Sequence, residues 1–112
     1  MAPTDLGCPG ETTTTMINGG ICSYSADGSF STSSPASPQL TSAEGFLRSN
    51  KADVKLVTID IGANDLLACA PTSSSPTISP TCVANAIATA SRNLATILAG
   101  LRAADPRAHI VG

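Results

Sequence analysis

The segment that most restricts the fold runs from Val54 to Ile61. It is rich in Val, Leu and Ile and stops abruptly at Gly62-Ala63-Asn64-Asp65. Both alternating faces carry apolar side chains, Leu56 on one and Val57, Ile59 and Ile61 on the other. A strand buried on both faces belongs in a parallel sheet covered by helices. Such strands deliver polar side chains at their carboxyl ends, where α/β proteins place their sites.

The flanking segments carry helical signals. Ser37-Pro38 reads as an N-cap followed by proline at the first helical position. Leu40, Ala43, Phe46 and Leu47 then line one face of a helix ending near Asn50. Thr41 with Glu44 offers an alternative capping box one turn later. Ser79-Pro80 repeats the start signal. Val83, Ile87, Ala90, Leu94, Ile97 and Leu101 follow in steps of four, three, four, three and four, and Pro106 ends the run. Gly100 weakens its last turn. Ala108-His109-Ile110-Val111-Gly112 reads as a second strand, and residues up to Gly10 as the tail of a strand entering a tight turn. Glu11 to Ile17 forms a short helix despite four consecutive threonines, with Glu11 favoured by the helix dipole. Residues 18–37 and 70–79 are loops rich in Gly, Ser, Thr and Pro. Strands alternating with helices indicate an α/β fold with a parallel sheet. Two secure strands make a poor independent sheet, so the chain reads as the middle of one domain.

Composition bounds the function. The chain has 112 residues, 42% of them apolar but only 3% aromatic, so its core is aliphatic. Six Lys and Arg residues without a cluster, and a net charge of -2, argue against nucleic-acid binding. No apolar run is long enough to span a bilayer, and Met1–Asp5 shows no signal peptide. One histidine and no CxxC exclude zinc spacing, and no residue pattern calls for a cofactor or metal. Four cysteines allow three pairings. The local one, Cys8–Cys22 with Cys69–Cys82, closes two short loops and implies an oxidising compartment.

Two stretches resemble signature blocks of the SGNH (GDSL-type) ester hydrolases. Leu6-Gly7-Cys8-Pro9-Gly10-Glu11-Thr12-Thr13 is similar to the second block, and Gly62-Ala63-Asn64-Asp65 to the third. Between them, Gly20-Ile21-Cys22-Ser23-Tyr24, Gln39-Leu40 and Ala43-Glu44-Gly45-Phe46-Leu47 resemble a secreted bacterial branch with bridged cysteines. The resemblance implies a three-layer α/β/α sandwich with a flavodoxin-like sheet, and residues 1–112 as a fragment of that single domain. It also implies a serine ester hydrolase acting through an acyl-enzyme on a lipid, an acylated sugar or a small ester. Gly10, through its backbone N–H, and Asn64, through its side-chain amide, would be two of three oxyanion donors. The third would come from the nucleophilic serine. No Gly-Asp-Ser-like block precedes Gly10, and no Asp-x-x-His block is present, so the chain alone is expected to be inactive. His109 opens a strand and reads as structural or surface. Asp65 reads as a turn stabiliser and Asp60 as a hydrogen-bonded support. The family's sheet order places its first strand between the segment ending at Gly10 and the strand ending at Ile61, so those two should flank a gap. The competing reading is a secreted, non-catalytic, cysteine-stapled binding module.

Overall fold

A computed structural model describes residues 3–22 and 37–112. Expectations for Ser23, Tyr24 and the Ser31–Pro35 run lie outside these residues. The described elements are α1 (Thr13–Asn18), α2 (Gln39–Ser49), β1 (Leu56–Thr58), α3 (Ala63–Leu67), α4 (Pro80–Ala104) and β2 (His109–Val111). The chain is thus mixed helix and strand, with a small parallel sheet.

The longest element forms where the apolar period places it. Ser79 caps α4 by accepting from the Cys82 amide at 3.3 Å, with Pro80 at the first helical position. The far end is held by Arg102, which donates to the Pro106 and Ala108 carbonyls at 3.2 and 2.7 Å. Both carbonyls lie beyond the helix, so the bonds tie its last turn to the segment that leads into β2. Gly100 does not interrupt α4, which continues to Ala104. Helix α2 begins one residue later than the Ser37-Pro38 signal predicts. Pro38 takes the N-cap position, and neither Ser37 nor the Thr41–Glu44 pair supplies a side-chain cap. The helix ends at Asn50, whose Nδ2 donates to the Phe46 carbonyl at 2.8 Å.

Strands β1 and β2 pair in parallel, with Leu56 opposite His109, Val57 opposite Ile110 and Thr58 opposite Val111. Two further bonds, Ile59 N–H to the Val111 carbonyl and His109 N–H to the Lys55 carbonyl, extend the ladder beyond the strand bounds. The regular strand is shorter than the Val54–Ile61 run. Residues 3–8 are not in a strand, contrary to the sequence expectation.

The core joins Met16, Leu40, Leu47, Ile97, Leu101 and Ala104, with Val57, Ile59, Ile61 and Ile110 packed against it. Only one sheet face is covered by described residues. The other presents Leu56 at 59% and Val111 at 54% exposure, so the two-sided coverage expected from the apolar run is absent here. The cysteines pair as Cys8–Cys22 and Cys69–Cys82, the local pairing among the three possible. The first bridge ties the Gly10 turn to the chain beyond α1, and the second ties the end of α3 to the start of α4. No helix among the described residues is long and apolar enough to cross a membrane.

Candidate functional site

Two turns meet at one end of the sheet. The first is Cys8–Glu11, closed by a bond from the Glu11 amide to the Cys8 carbonyl at 3.2 Å. Gly10 sits there at φ 84°, a left-handed conformation that favours glycine. A Cβ at this position would meet nothing within 4 Å, so the backbone angle rather than crowding demands the glycine. Its exposed position leaves the peptide open to approach.

Helix α1 starts two residues later. Thr12 and Thr15 form a reciprocal capping box, with the Thr15 amide donating to Thr12 Oγ1 at 3.0 Å and the Thr12 amide to Thr15 Oγ1 at 2.9 Å. The threonine run is poor helix-forming material, but its hydroxyls serve as caps.

The second turn follows β1. Gly62 at φ 116° is the N-cap of α3, placing Asn64 and Asp65 in its first turn. Asn64 Nδ2 donates to the Glu11 carbonyl at 2.9 Å. That bond uses one amide hydrogen and leaves the other to donate. Asp65 accepts from the Thr13 amide at 2.8 Å through Oδ1 and from the Thr13 hydroxyl through Oδ2. The two predicted site residues are therefore brought together: Asn64 is tied to the residue that follows Gly10.

Beside this junction lies a cleft of about 830 Å³. Residues 3–8 form one wall and Val54–Gly62 the other, with Met16, Phe46, Leu47 and Leu101 also lining it. Asn64 and Glu11 stand at its edge. Carboxylates predominate, with Asp5, Glu11, Asp53 and Asp60 against Lys55. Glu11 does not sit in the helix, contrary to the sequence expectation. It precedes the N-cap, is only 5% exposed, and its Oε1 has no hydrogen-bond partner among the described residues. Gln39 Oε1 is likewise buried and unpartnered, while Gln39 Nε2 donates to the Leu6 carbonyl at 2.7 Å. That bond fixes the amide, since reversing it would set two carbonyl oxygens face to face. Buried acceptors of this kind call for donors from whatever occupies the space.

Asp60 lies exposed on the cleft wall, and no described residue bonds its carboxylate, contrary to the supporting role expected of it. His109 opens β2 as an exposed residue and does not line the cleft. No serine or histidine is among the lining residues. No group of described residues is arranged to hold a metal. The sequence reading missed Thr13 and Asn93. Asn93, on α4, donates to Thr13 Oγ1 at 3.1 Å and to Thr14 Oγ1 at 3.0 Å. Asn93 is one of several polar residues on α4, and nothing in the sequence singles it out. No protein-family model, curated protein or solved structure matches the chain.

Proposed function

We propose that this chain is the part of an SGNH-type serine ester hydrolase that supplies two of its three oxyanion donors, the Gly10 N–H and the free N–H of Asn64. The observation that carries the reading is the bond from Asn64 to the Glu11 carbonyl, across 53 residues of sequence. It links the turn that carries Gly10 to the turn that carries Asn64.

In the whole enzyme a serine hydroxyl attacks the ester carbonyl while a histidine removes its proton. The carbonyl oxygen becomes an oxyanion, held by Gly10, Asn64 and the serine's own N–H. Collapse expels the alcohol, protonated by the histidine, and water then releases the acid from the acyl-enzyme. Donors aimed at the oxyanion act mainly in the transition state, so their loss falls on kcat. The serine and the Asp-x-x-His block come from sequence outside these residues. The cleft lies where the family's first strand would run, and the exposed sheet face would take the second helix layer of a three-layer sandwich. The two disulfides favour a secreted enzyme.

The isolated chain is expected to resist labelling by a fluorophosphonate probe and to leave p-nitrophenyl butyrate unhydrolysed; labelling or turnover overturns this division of labour. The flanking DNA is expected to encode a Gly-Asp-Ser-like block upstream and Asp-x-x-His downstream. With both joined, Asn64→Ala lowers kcat roughly 10²–10³-fold with little change in KM. An unchanged kcat removes Asn64 from the oxyanion role.

A second reading, a disulfide-stapled binding module, draws on the unpartnered acceptors Glu11 and Gln39 in a cleft without serine or histidine. Stop codons on both sides of a complete secretory reading frame would favour it.

A further inference from the structure

We infer that Asp65 is a positioning residue that acts through Thr13 and Asn93 to hold the Asn64 amide in one orientation against the Gly10 turn. The inference rests on the hydrolase reading only for what those donors act on.

Helix α3 has five residues and no side-chain cap, too short to fix Asn64 by its own backbone. Two adjacent residues on α3 instead grip two residues just after Gly10, Glu11 and Thr13. Asn64 donates to the carbonyl of Glu11, and Asp65 accepts from both the amide and the hydroxyl of Thr13. One such bond would let the turn swivel; bonds on consecutive residues, running in opposite donor directions, remove that freedom.

The hydroxyl of Thr13 sets the order of the network. It has one proton, given to Asp65, so toward α4 it can only accept. Asn93 fills that demand with its Nδ2, which also reaches Thr14. The relay therefore runs one way, from Asn93 to Thr13 to Asp65. It joins α4 to α1 and α1 to α3, with Thr13 only 1% exposed. A carboxylate at its end strengthens the hydrogen bonds it accepts. Neither Thr13 nor Asn93 carries a group suited to the reaction, and both lie outside the residues that line the cleft.

The test uses the ¹⁵N-labelled chain and reads the order parameter of the Asn64 side-chain amide. Protection of the Ile97 and Leu101 amides from hydrogen exchange serves as the measure of global folding. In the unaltered chain the Asn64 amide should be about as rigid as ordered backbone, near 0.85. In Thr13→Val and Asp65→Ala it should fall below about 0.6 while Ile97 and Leu101 keep their protection. Thr13→Ser, which keeps the hydroxyl, should restore the rigid value. Asn93→Ala, which leaves the Asp65–Thr13 bonds in place, should give an intermediate one and serves if the first two variants do not fold. An Asn64 amide that stays rigid in Thr13→Val or Asn93→Ala overturns the inference. So does a loss of order that tracks loss of protection at Ile97 and Leu101, or one that Thr13→Ser does not repair. None of these readouts needs catalysis. A network that passes these tests while the completed enzyme fails to hydrolyse esters counts against the hydrolase reading alone.

Discussion

The two halves of α4 have the same apolar rhythm and opposite surroundings. In the C-terminal half, Ile97, Leu101 and Ala104 are 0%, 2% and 1% exposed and sit in the core with Leu40 and Leu47 of α2. In the N-terminal half, Ile87 continues the same stripe yet is 53% exposed. A hydrophobic period of 3.6 residues says which face of a helix is apolar. It does not say how far along the helix a partner extends. Helix α2 covers one end of α4, and among the described helices the other end meets the short α1 and α3.

This contrast predicts unequal costs for the same kind of change. Ile97→Ala should be the most damaging, at about 4 kcal/mol, because it removes buried methylenes and leaves a cavity where α2 and the sheet converge. Urea unfolding of the variant measures it. A loss below about 1 kcal/mol would mean that this end of the helix is no better packed than the other.

Next in size is the Cys69–Cys82 bridge. It anchors the first turn of α4 to the end of α3, tethering the exposed half of α4. Replacing both cysteines with serine should cost about 3 kcal/mol by freeing a 13-residue separation in the unfolded chain. Hydrogen exchange should rise first at residues 83–90 and leave residues 97–104 nearly unchanged. Uniform acceleration along α4 would show instead that the helix opens as one unit.

The same contrast shows what the sequence could convey. Ser79, Pro80 and Pro106 mark the ends of α4 because capping and chain-breaking are local chemistry, and the observed bounds follow them. The bond from Asn64 to Glu11 joins two turns 53 residues apart, and no local rule in the sequence brings them into contact. The Thr13–Asp65 bridge was not legible at all, since a threonine run signals poor helix propensity and nothing in it names a distant acceptor. Glu11 misled for a related reason. Its position suggested an acid within the helix and favoured by its dipole, but it precedes the Thr12 N-cap and lines the cleft. The apolar run at β1 correctly indicated a parallel strand, while among the described residues only one of its faces is covered.

A smaller effect belongs to the cap. Ser79→Ala removes the acceptor for the Cys82 amide at the exposed end of α4 and should cost about 1 kcal/mol. With the disulfide intact the cost should lie at the low end of the capping range, because Cys82 stays tethered when the cap is gone. In the serine double variant the same change should cost more. That non-additivity, read from a double-mutant cycle of unfolding midpoints, tests whether cap and bridge restrain the same turn.

The smallest effect separates the two ends of α4 most directly. Ile87→Ala should shift stability by no more than about 0.5 kcal/mol, as for a surface change, although Ile87 and Ile97 occupy the same stripe. Alanine has the higher helix propensity, which offsets part of the lost contact with Leu66 and Leu94 around the shallow depression they line together. A cost near that of Ile97→Ala would mean that Ile87 is covered in solution, and the exposed half of α4 would then have to be counted as core.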